Sequence, residues 1–281
     1  MKTKDIPIYI CCIVILAIML FPFLWGVVLA FKNNHEIFSD PTGLPSQFDF
    51  SLFPETFRQG RILVLFKNSL IVSTLTVIVQ LAVLFFSSFA IARLHHKHKG
   101  MNDFFFYLFL ASMAIPPFVL IAQIYRLTLS IGEVAPLLGM NSIYSLILPY
   151  SAGGIAFCTL MFVGAMKGVP SEIEDAALID GCRLPGVMFR ITLPLVMPIV
   201  ATLVILSFLG AWNEFPFASI LLHTPGNFTL PLAMSFFRDQ FSKDYGAMMR
   251  AVLMILAPQV IFYLIFQRRI IDGMATSGLK I

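Results

Sequence analysis

The chain has 281 residues, of which 58% are hydrophobic and 12% are charged, and its formal net charge at pH 7 is +4. Ordinary soluble domains are roughly 45–50% apolar and about 25% charged. A soluble fold of this length could not bury so much apolar surface, so the composition excludes one and predicts a protein that faces lipid. The lysines and arginines lie in loops between apolar runs, which indicates membrane orientation rather than nucleic-acid binding.

Six apolar runs are each long enough to cross a bilayer, which takes about 20 helical residues at a rise of 1.5 Å per residue. They cover residues 8–31, 63–94, 104–127, 143–166, 195–222 and 248–266. The first run follows Lys2 and Lys4 but is too long for a signal peptide and ends without a small-residue cleavage site, so we expect it to be an uncleaved helix. The sequence therefore predicts an all-α polytopic membrane protein with six transmembrane helices.

Positive charge gives these helices a weak orientation. The clearest contrast is between the basic loop 93–99 and the nearly uncharged loop 130–141, and the basic side is expected to be cytoplasmic. Both termini then lie in the cytoplasm of a bacterial cytoplasmic membrane. The predicted organisation is listed in three parts: a first helix with an exterior loop (1–62), a core of five helices that includes the cytoplasmic segment 170–194 (63–267), and a cytoplasmic tail (268–281).

The exterior loop and the histidines offer little specific chemistry. The second half of the exterior loop, 52–65, fits either an interfacial helix or an ordered surface loop. His95, His96 and His98 share a basic loop without a carboxylate or a cysteine, so a solvated loop explains them better than a metal site. We predict no metal site.

Two polar or helix-breaking patches interrupt the predicted spans. Pro116 and Pro117 stand midway along the third span, where they either kink the helix or line a path. Asn213, Glu214 and Phe215 lie in the outer half of the fifth span. They either line the path of a solute or anchor the chain at the outer interface, where Pro216 ends the helix.

The segment 170–198 combines charge and helix punctuation between two apolar spans. Ser171 and Glu174 have the spacing of a capping box, and Gly181 is suited to a left-handed helix stop. Pro185 then begins a second short helix, and Pro194 lets the chain turn into the next span. The apolar side of this predicted helix pair either enters a groove on a partner or packs on the bundle; it consists of Ile173, Ala176, Ala177 and Leu184.

This segment resembles the EAA signature of bacterial ABC-importer permeases. Asp175–Ala176–Ala177 is followed by Gly181 and then by Ile191-x-Leu193–Pro194 with the signature's spacing, although Asp175 stands where the signature usually has Glu. Further stretches are similar to the carbohydrate branch of the family, in particular the second permease of the maltose importer (MalG-like); they are 67–70, 179–181, 211–215 and 273–280. The tail departs from that branch because it closes with Ile281 rather than glycine.

The resemblance implies a type I ABC importer permease fold and a division of labour among subunits. The segment 170–194 would form the coupling helix that seats in a cytoplasmic ATPase dimer, which binds ATP and Mg, while this chain binds no cofactor. A second, related permease would complete the path for a sugar, which an extracytoplasmic solute-binding protein delivers. The implied ATPase-docking residues are Ser171, Glu174, Asp175, Ala176, Ala177, Asp180, Gly181 and Pro194. The implied tail contacts are Ser277, Gly278 and Lys280, and the candidate substrate-path residues are Asn213, Glu214, Phe215, Pro116 and Pro117.

The motifs missing from the sequence agree with this division. No G-x-x-x-x-G-K-[ST] loop, H-E-x-x-H or G-x-S-x-G motif occurs, so we expect a transport subunit without catalytic residues rather than an ATPase or a membrane hydrolase. The main alternative is an ion-coupled secondary transporter. That class needs buried ionisable groups near the bilayer midplane, and Glu214 is almost the only candidate.

Overall fold

The computed structural model describes residues 6–94, 100–232 and 244–278. The regular structure of these ranges is helical, without a strand, which confirms the all-α prediction. The α-helices are α1 (Ile6–Ala30), α2 (Asn34–Ser39), α3 (Leu52–Gln59), α4 (Ile62–Arg93), α5 (Met101–Ala111), α6 (Ile121–Val134), α7 (Ile147–Gly153), α8 (Ile155–Lys167), α9 (Ser171–Ile179), α10 (Leu184–Gly186), α11 (Leu193–Leu195), α12 (Met197–Trp212), α13 (Pro216–Leu221) and α14 (Tyr245–Gly278). The 3-10 helices are Ser112–Ala114, Pro117–Leu120, Pro136–Leu138, Ile143–Leu146 and Pro225–Asn227, and Val187–Thr192 is a π-helix. The histidines of the predicted basic loop and Lys280 of the tail lie outside the described residues.

The apolar helices agree with six membrane spans. In the described ranges four helices are long and apolar enough to cross a bilayer, namely Ile8–Ala30, Ile62–Arg93, Pro117–Val134 and Tyr245–Ile265. Two bent helix pairs bring the number to six if each pair is one span; they are Ile143–Gly153 with Ile155–Lys167, and Leu184–Leu195 with Met197–Trp212.

Three of the predicted spans are interrupted rather than continuous. The third is broken at Ile115 and Pro116, whose backbones are extended, and the helix resumes at Pro117. Two consecutive prolines remove two amide donors and push the preceding residue out of the helical region, so the break follows from the sequence. The fourth span bends by 53° next to Gly154. The fifth bends by 77° at Val196, near its start, and is broken again between Trp212 and Pro216. The turn predicted at Pro194 therefore occurs two residues later.

The chain divides into two compact units, Met1–Leu65 with Leu232–Val260 and Phe66–Pro231 with Ile261–Ile281. The core of the second, larger unit contains Val72 and Leu84 of α4, Phe162 of α8 and Leu203 of α12, all 2% exposed or less. Ser88 is also fully buried, which allows close helix approach. Since lipid tails are as apolar as leucine, tight packing of this kind rather than escape from water holds membrane helices together.

The smaller unit is organised around a buried arginine. Arg250 donates from Nη1 to the Ala30 carbonyl at 3.0 Å and from Nε to Thr56 Oγ1 at 2.9 Å, and it lies 3.7 Å from an Asp244 carboxylate oxygen. These contacts connect the end of α1, the short helix α3 and the start of α14. Of the two alternatives left open for 52–65, the structure has a helix, α3, which Gly60 and Arg61 separate from α4.

Candidate docking and translocation sites

The helix α9 forms the first half of the predicted docking segment. Its C-terminal end is closed by the Gly181 N–H, which donates to Leu178 O at 3.1 Å, and by the Cys182 N–H, which donates to Ala177 O at 2.9 Å. This pair of bonds is the Schellman arrangement, which requires a left-handed residue between them. Gly181 has φ +84°, so the predicted left-handed stop is confirmed.

The predicted capping box at the start of α9 is wrong. Ser171 is already the first helical residue, and no side chain caps the helix N-terminus. Glu174 instead turns inward: its Oε2 lies 2.8 Å from Arg93 Nε, and its Oε1 accepts a hydrogen bond from Thr192 Oγ1 at 2.8 Å. A buried cation and a buried hydroxyl attract a carboxylate more strongly than solvated amides at a helix end.

The rest of α9 and its turn remains accessible on this chain. Asp175, Ala176, Asp180 and Gly181 are exposed, as are Ser171 and Pro194, and Ala177 is half-buried. Apolar side chains share this exposure, with Ile173 at 45% and Ile179 at 86%. The predicted apolar side therefore does not pack on the described part of the chain's own bundle. The sequence analysis did not single out Ile179 as a contact residue, although a large apolar side chain immediately before Asp180–Gly181 could have indicated one.

The second half of the predicted docking segment packs against other helices of the larger unit. Val187, Met188 and Thr192 of the π-helix are buried. Phe189 lies against α4, with ring centroids 6.0 Å from Phe85 and 5.9 Å from Phe86. The segment 170–198 is thus anchored at its second helix and exposed at its first.

A cavity of about 370 Å³ lies within the larger unit. Its lining comes from α4, the break around Pro117, the α7–α8 bend and the region where α12 passes into α13; the residues are Gln80, Pro117, Phe118, Ile121, Pro149, Tyr150, Gly153, Gly154, Phe157, Cys158, Leu206, Ser207, Gly210, Ala211, Glu214, Pro216 and Phe217. Of the predicted path residues, Pro117 and Glu214 line this cavity, whereas Pro116, Asn213 and Phe215 do not. Gln80, Tyr150 and Ser207 supply further polar atoms that the sequence did not single out.

Glu214 also has a local structural role. Its carboxylate accepts hydrogen bonds from the backbone N–H groups of Phe217 at 2.8 Å and Ala218 at 3.3 Å, in the first turn of α13. The helix α12 ends at Trp212, as expected for a Pro-induced end. Trp212 is 4% exposed and packs on Phe208, whereas Phe215 is 41% exposed. The carboxylate thus restarts the helix beside the cavity.

The described part of the tail is helical. Ser277 and Gly278 are the last residues of α14, which continues without a break from the sixth span.

The described residues contain no group of three or more His, Cys, Asp or Glu side chains that could hold a metal ion.

Broken apolar spans around a cavity, together with an exposed short helix, define a polytopic membrane transport component. The family of binding-protein-dependent transport system inner membrane components matches residues 88–275, a range that includes α9 and most of the cavity lining. The chain belongs to this family and is a transport component of a bacterial inner membrane.

Individual relatives extend the likeness over nearly the whole chain. The chain is 34% identical over 260 residues to the probable ABC transporter permease protein YurM of Bacillus subtilis, covering 92% of this chain and 83% of YurM. It is 32% identical over 267 residues to the arabinooligosaccharides transport system permease protein AraQ of Halalkalibacterium halodurans, covering 94% and 92%. The fold is similar to that of a bacterial ABC transporter involved in the import of the acidic polysaccharide alginate, with TM-score 0.72, 17% identity and coverage of 95% and 98%.

Proposed function

We propose that this chain is the permease subunit of an ATP-binding-cassette importer and forms half of the translocation path for a sugar or oligosaccharide. A second, related permease provides the other half, and an extracytoplasmic solute-binding protein delivers the solute. Support for a carbohydrate comes from the arabinooligosaccharide relative, which is similar over 94% of this chain, and from the carbohydrate-branch stretches of the sequence.

The observation that carries the proposal is the exposed helix α9. An apolar residue such as Ile179, 86% exposed beside the charged Asp180, indicates a surface that a partner covers. In permeases with the EAA signature, which this segment resembles, the corresponding helix contacts the cytoplasmic ATPase dimer, and we assign the same partner to α9. The proposed contacts are Ser171, Asp175, Ala176, Ala177, Asp180, Gly181 and Pro194, with Ile179 added and Glu174 acting from beneath.

The proposed solute path runs along the cavity of the larger unit. Its volume of about 370 Å³ lies within the range of small-molecule sites, roughly 300–1,000 Å³. The aromatic faces of Phe118 and Phe157 can stack on a sugar ring, and the Tyr150 hydroxyl and Glu214 can hydrogen-bond to sugar hydroxyls. Pro116 shapes the break that exposes Pro117, while Asn213 and Phe215 shape the turn that presents Glu214.

The remaining features follow from the same proposal. ATP and Mg bind the partner ATPase, since this sequence has no phosphate-binding loop. Both termini and α9 face the cytoplasm. The domain organisation is a first helix with an exterior loop, a transmembrane core and a tail, and Ser277, Gly278 and Lys280 of that tail contact the ATPase.

Reconstitution tests the proposal. The affinity-tagged chain is purified from its host in mild detergent, placed in proteoliposomes with its co-purifying subunits, and supplied outside with the solute-binding protein and labelled arabino-oligosaccharides. We expect a co-purifying ATPase and uptake that requires ATP inside the vesicles. Uptake driven by a sodium or proton gradient without ATP, from a preparation that lacks an ATPase, would instead establish the ion-coupled transporter.

A further inference from the structure

Three parts of the larger unit meet at one buried carboxylate beneath α9. Glu174 is 6% exposed and Thr192 is completely buried. The ion pair between Arg93 Nε and Glu174 Oε2 spans 2.8 Å, with the two side chains only 13% and 8% exposed. Thr192 Oγ1 donates to the other carboxylate oxygen at 2.8 Å. Both oxygens of Glu174 are thereby occupied by residues of the chain itself.

Arg93 makes a second contact that reinforces the first. Its Nη2 donates to the carbonyl of Val169 at 2.7 Å, immediately before the Pro170 that precedes α9. One guanidinium at the end of α4 therefore holds both the entrance to α9 and its fourth residue. A planar guanidinium with several fixed donors suits this double role, whereas an ammonium group would not.

Thr192 reaches Glu174 from the last position of the π-helix. A π-helix shifts the side-chain register relative to an α-helix and is often found at functional sites. Here the irregular turn ends with Thr192 turned toward α9 while Phe189 packs on α4. The cluster of Arg93, Glu174 and Thr192 thus joins α4, α9 and the π-helix.

We propose that Glu174 is a positioning residue that, with Arg93 and Thr192, fixes α9 to α4 and to the π-helix, so that a displacement of α9 moves the membrane helices. This inference rests on the proposed function, in which the ATPase displaces α9. A surface helix tied only by its two chain ends could tilt in the ATPase groove without moving α4. A buried charge-assisted cluster removes that freedom, because separating its members exposes unpaired charge.

The test uses the complex of this chain with its second permease and ATPase in proteoliposomes. Cys11, Cys12 and Cys182 are replaced by serine so that Cys158, which lines the cavity, remains as the thiol of this chain. Two readouts are taken: the rate at which N-ethylmaleimide labels Cys158 with and without ATP plus vanadate, and amide hydrogen exchange in α9. ATP hydrolysis is measured in parallel.

For Glu174→Gln we expect amide exchange in α9 to accelerate roughly ten- to a hundredfold, the loss that corresponds to a hydrogen bond with a charged partner. Cys158 labelling should lose its dependence on ATP while ATP hydrolysis continues. Arg93→Gln should behave in the same way, and the exchanged pair Arg93→Glu with Glu174→Arg should recover part of the protection. Thr192→Val keeps the shape of the side chain and removes one hydrogen bond, so it should change both readouts in the same direction but less. It replaces the glutamine variants if these assemble poorly.

The control is Asp103→Asn, an exposed carboxylate at the start of α5, which should leave both readouts unchanged. ATP-dependent labelling of Cys158 retained in Glu174→Gln would overturn the positioning role and leave the proposed function standing. Labelling that does not depend on ATP in the unaltered complex would overturn the proposed path, and this inference with it.

Discussion

Gly181 is the residue on which the end of α9 depends. Its φ of +84° belongs to the left-handed region, and a Cβ placed there would meet no atom within 4 Å. Substitution is therefore limited by backbone strain alone and not by space. The strain for a β-branched residue in this region is roughly 1–2 kcal/mol.

We expect Gly181→Val to weaken the turn and to uncouple ATP hydrolysis from solute uptake at normal expression. Gly181→Asn is the matched control, because asparagine tolerates the left-handed region and should retain coupling. The ratio of solute transported to ATP hydrolysed in proteoliposomes measures the effect. A valine variant with the ratio of the unaltered chain would contradict the role of this turn in coupling.

Gly132 and Gly139 are required for a different reason, which is close backbone approach. A Cβ on Gly132 would lie 2.9 Å from Gly139 Cα, and one on Gly139 would lie 2.7 Å from Gly132 Cα. Gly132→Ala should therefore force the loop after α6 away and destabilise the protein by about 1–3 kcal/mol, as overpacking does.

The thermal unfolding midpoint in detergent measures this change. Gly164→Ala in α8 is the control, since a Cβ there meets nothing within 4 Å and alanine favours a helix over glycine by roughly 0.5–1 kcal/mol. Equal midpoints for the two alanine variants would show that the loop relaxes at no cost.

Residue-scale prediction from the sequence succeeded where the determinant was local. The stop at Gly181 was predictable because only glycine suits a left-handed residue at low cost. The inward turn of Glu174 was not predictable, since its partner Arg93 is 81 positions earlier in the sequence (174 − 93). Arg93 could be read only as one of the charges that orient the membrane helices.

At the scale of elements, the start of α4 is joined to the segment before the last span. Asn68 Nδ2 donates to the carbonyls of Gly226 at 3.0 Å and Phe228 at 2.9 Å. Ser69 Oγ accepts from the Leu230 N–H at 2.7 Å, and Leu230 is completely buried. The stretch 67–70 was noted in the sequence only for its resemblance to the carbohydrate branch. These contacts show that its residues hold the segment 226–230 in place.

Ser69→Ala should leave the buried Leu230 amide without a partner, at a cost of about 1–3 kcal/mol. We expect faster amide exchange at Leu230 and a lower unfolding midpoint. Thr74→Ala is the control, because Thr74 lies exposed on the same helix and should change stability by less than about 0.5 kcal/mol. Unchanged exchange at Leu230 would mean that Ser69 does not hold this segment.

The helices α1 and α4 were predictable because apolar residues dominate each of them, despite Pro22 in α1 and Lys67 in α4. The predicted span 8–31 is observed as Ile8–Ala30, and 63–94 as Ile62–Arg93. The bend at Gly154 was not predicted, because the chain is apolar on both sides of it, and the turn into the fifth span was predicted at Pro194, two residues before its observed place at Val196. Composition cannot place a bend when both halves of a span have the same character; the packing of neighbouring helices decides it.

The candidate site was likewise predictable in its chemistry more than in its geometry. Pro117 and Glu214 could be singled out because a helix break and a carboxylate are costly in lipid. Gln80 and Tyr150 are separated from them by long stretches of sequence and come near them only because the chain bends. That they line the cavity could therefore not be predicted from the sequence alone.

At the scale of the whole molecule, membrane orientation decides which partner meets α9. Placing both termini in the cytoplasm puts α9 on the ATPase side and the loop before α3 on the side of the solute-binding protein. Two suitable probe positions are Ala177, which is half-buried on α9, and Leu44, which is 74% exposed in the loop proposed to be exterior. Each is changed to cysteine in a chain whose native cysteines are replaced by serine; these are Cys11, Cys12, Cys158 and Cys182.

We expect Ala177→Cys, derivatised with benzophenone maleimide and illuminated in the assembled complex, to give a covalent adduct with the ATPase subunit, because the proposed function places α9 against that subunit. Leu44→Cys should give no such adduct, and in sealed, right-side-out vesicles a membrane-impermeant maleimide should label it while leaving Ala177→Cys unlabelled. Mass spectrometry of the adducts identifies the partner. An adduct of Ala177→Cys with lipid or with the solute-binding protein, or labelling of Ala177→Cys from outside, would reverse the orientation. The exposed end of α9 would then require an extracytoplasmic partner, and the assignment of ATPase docking to it would be wrong.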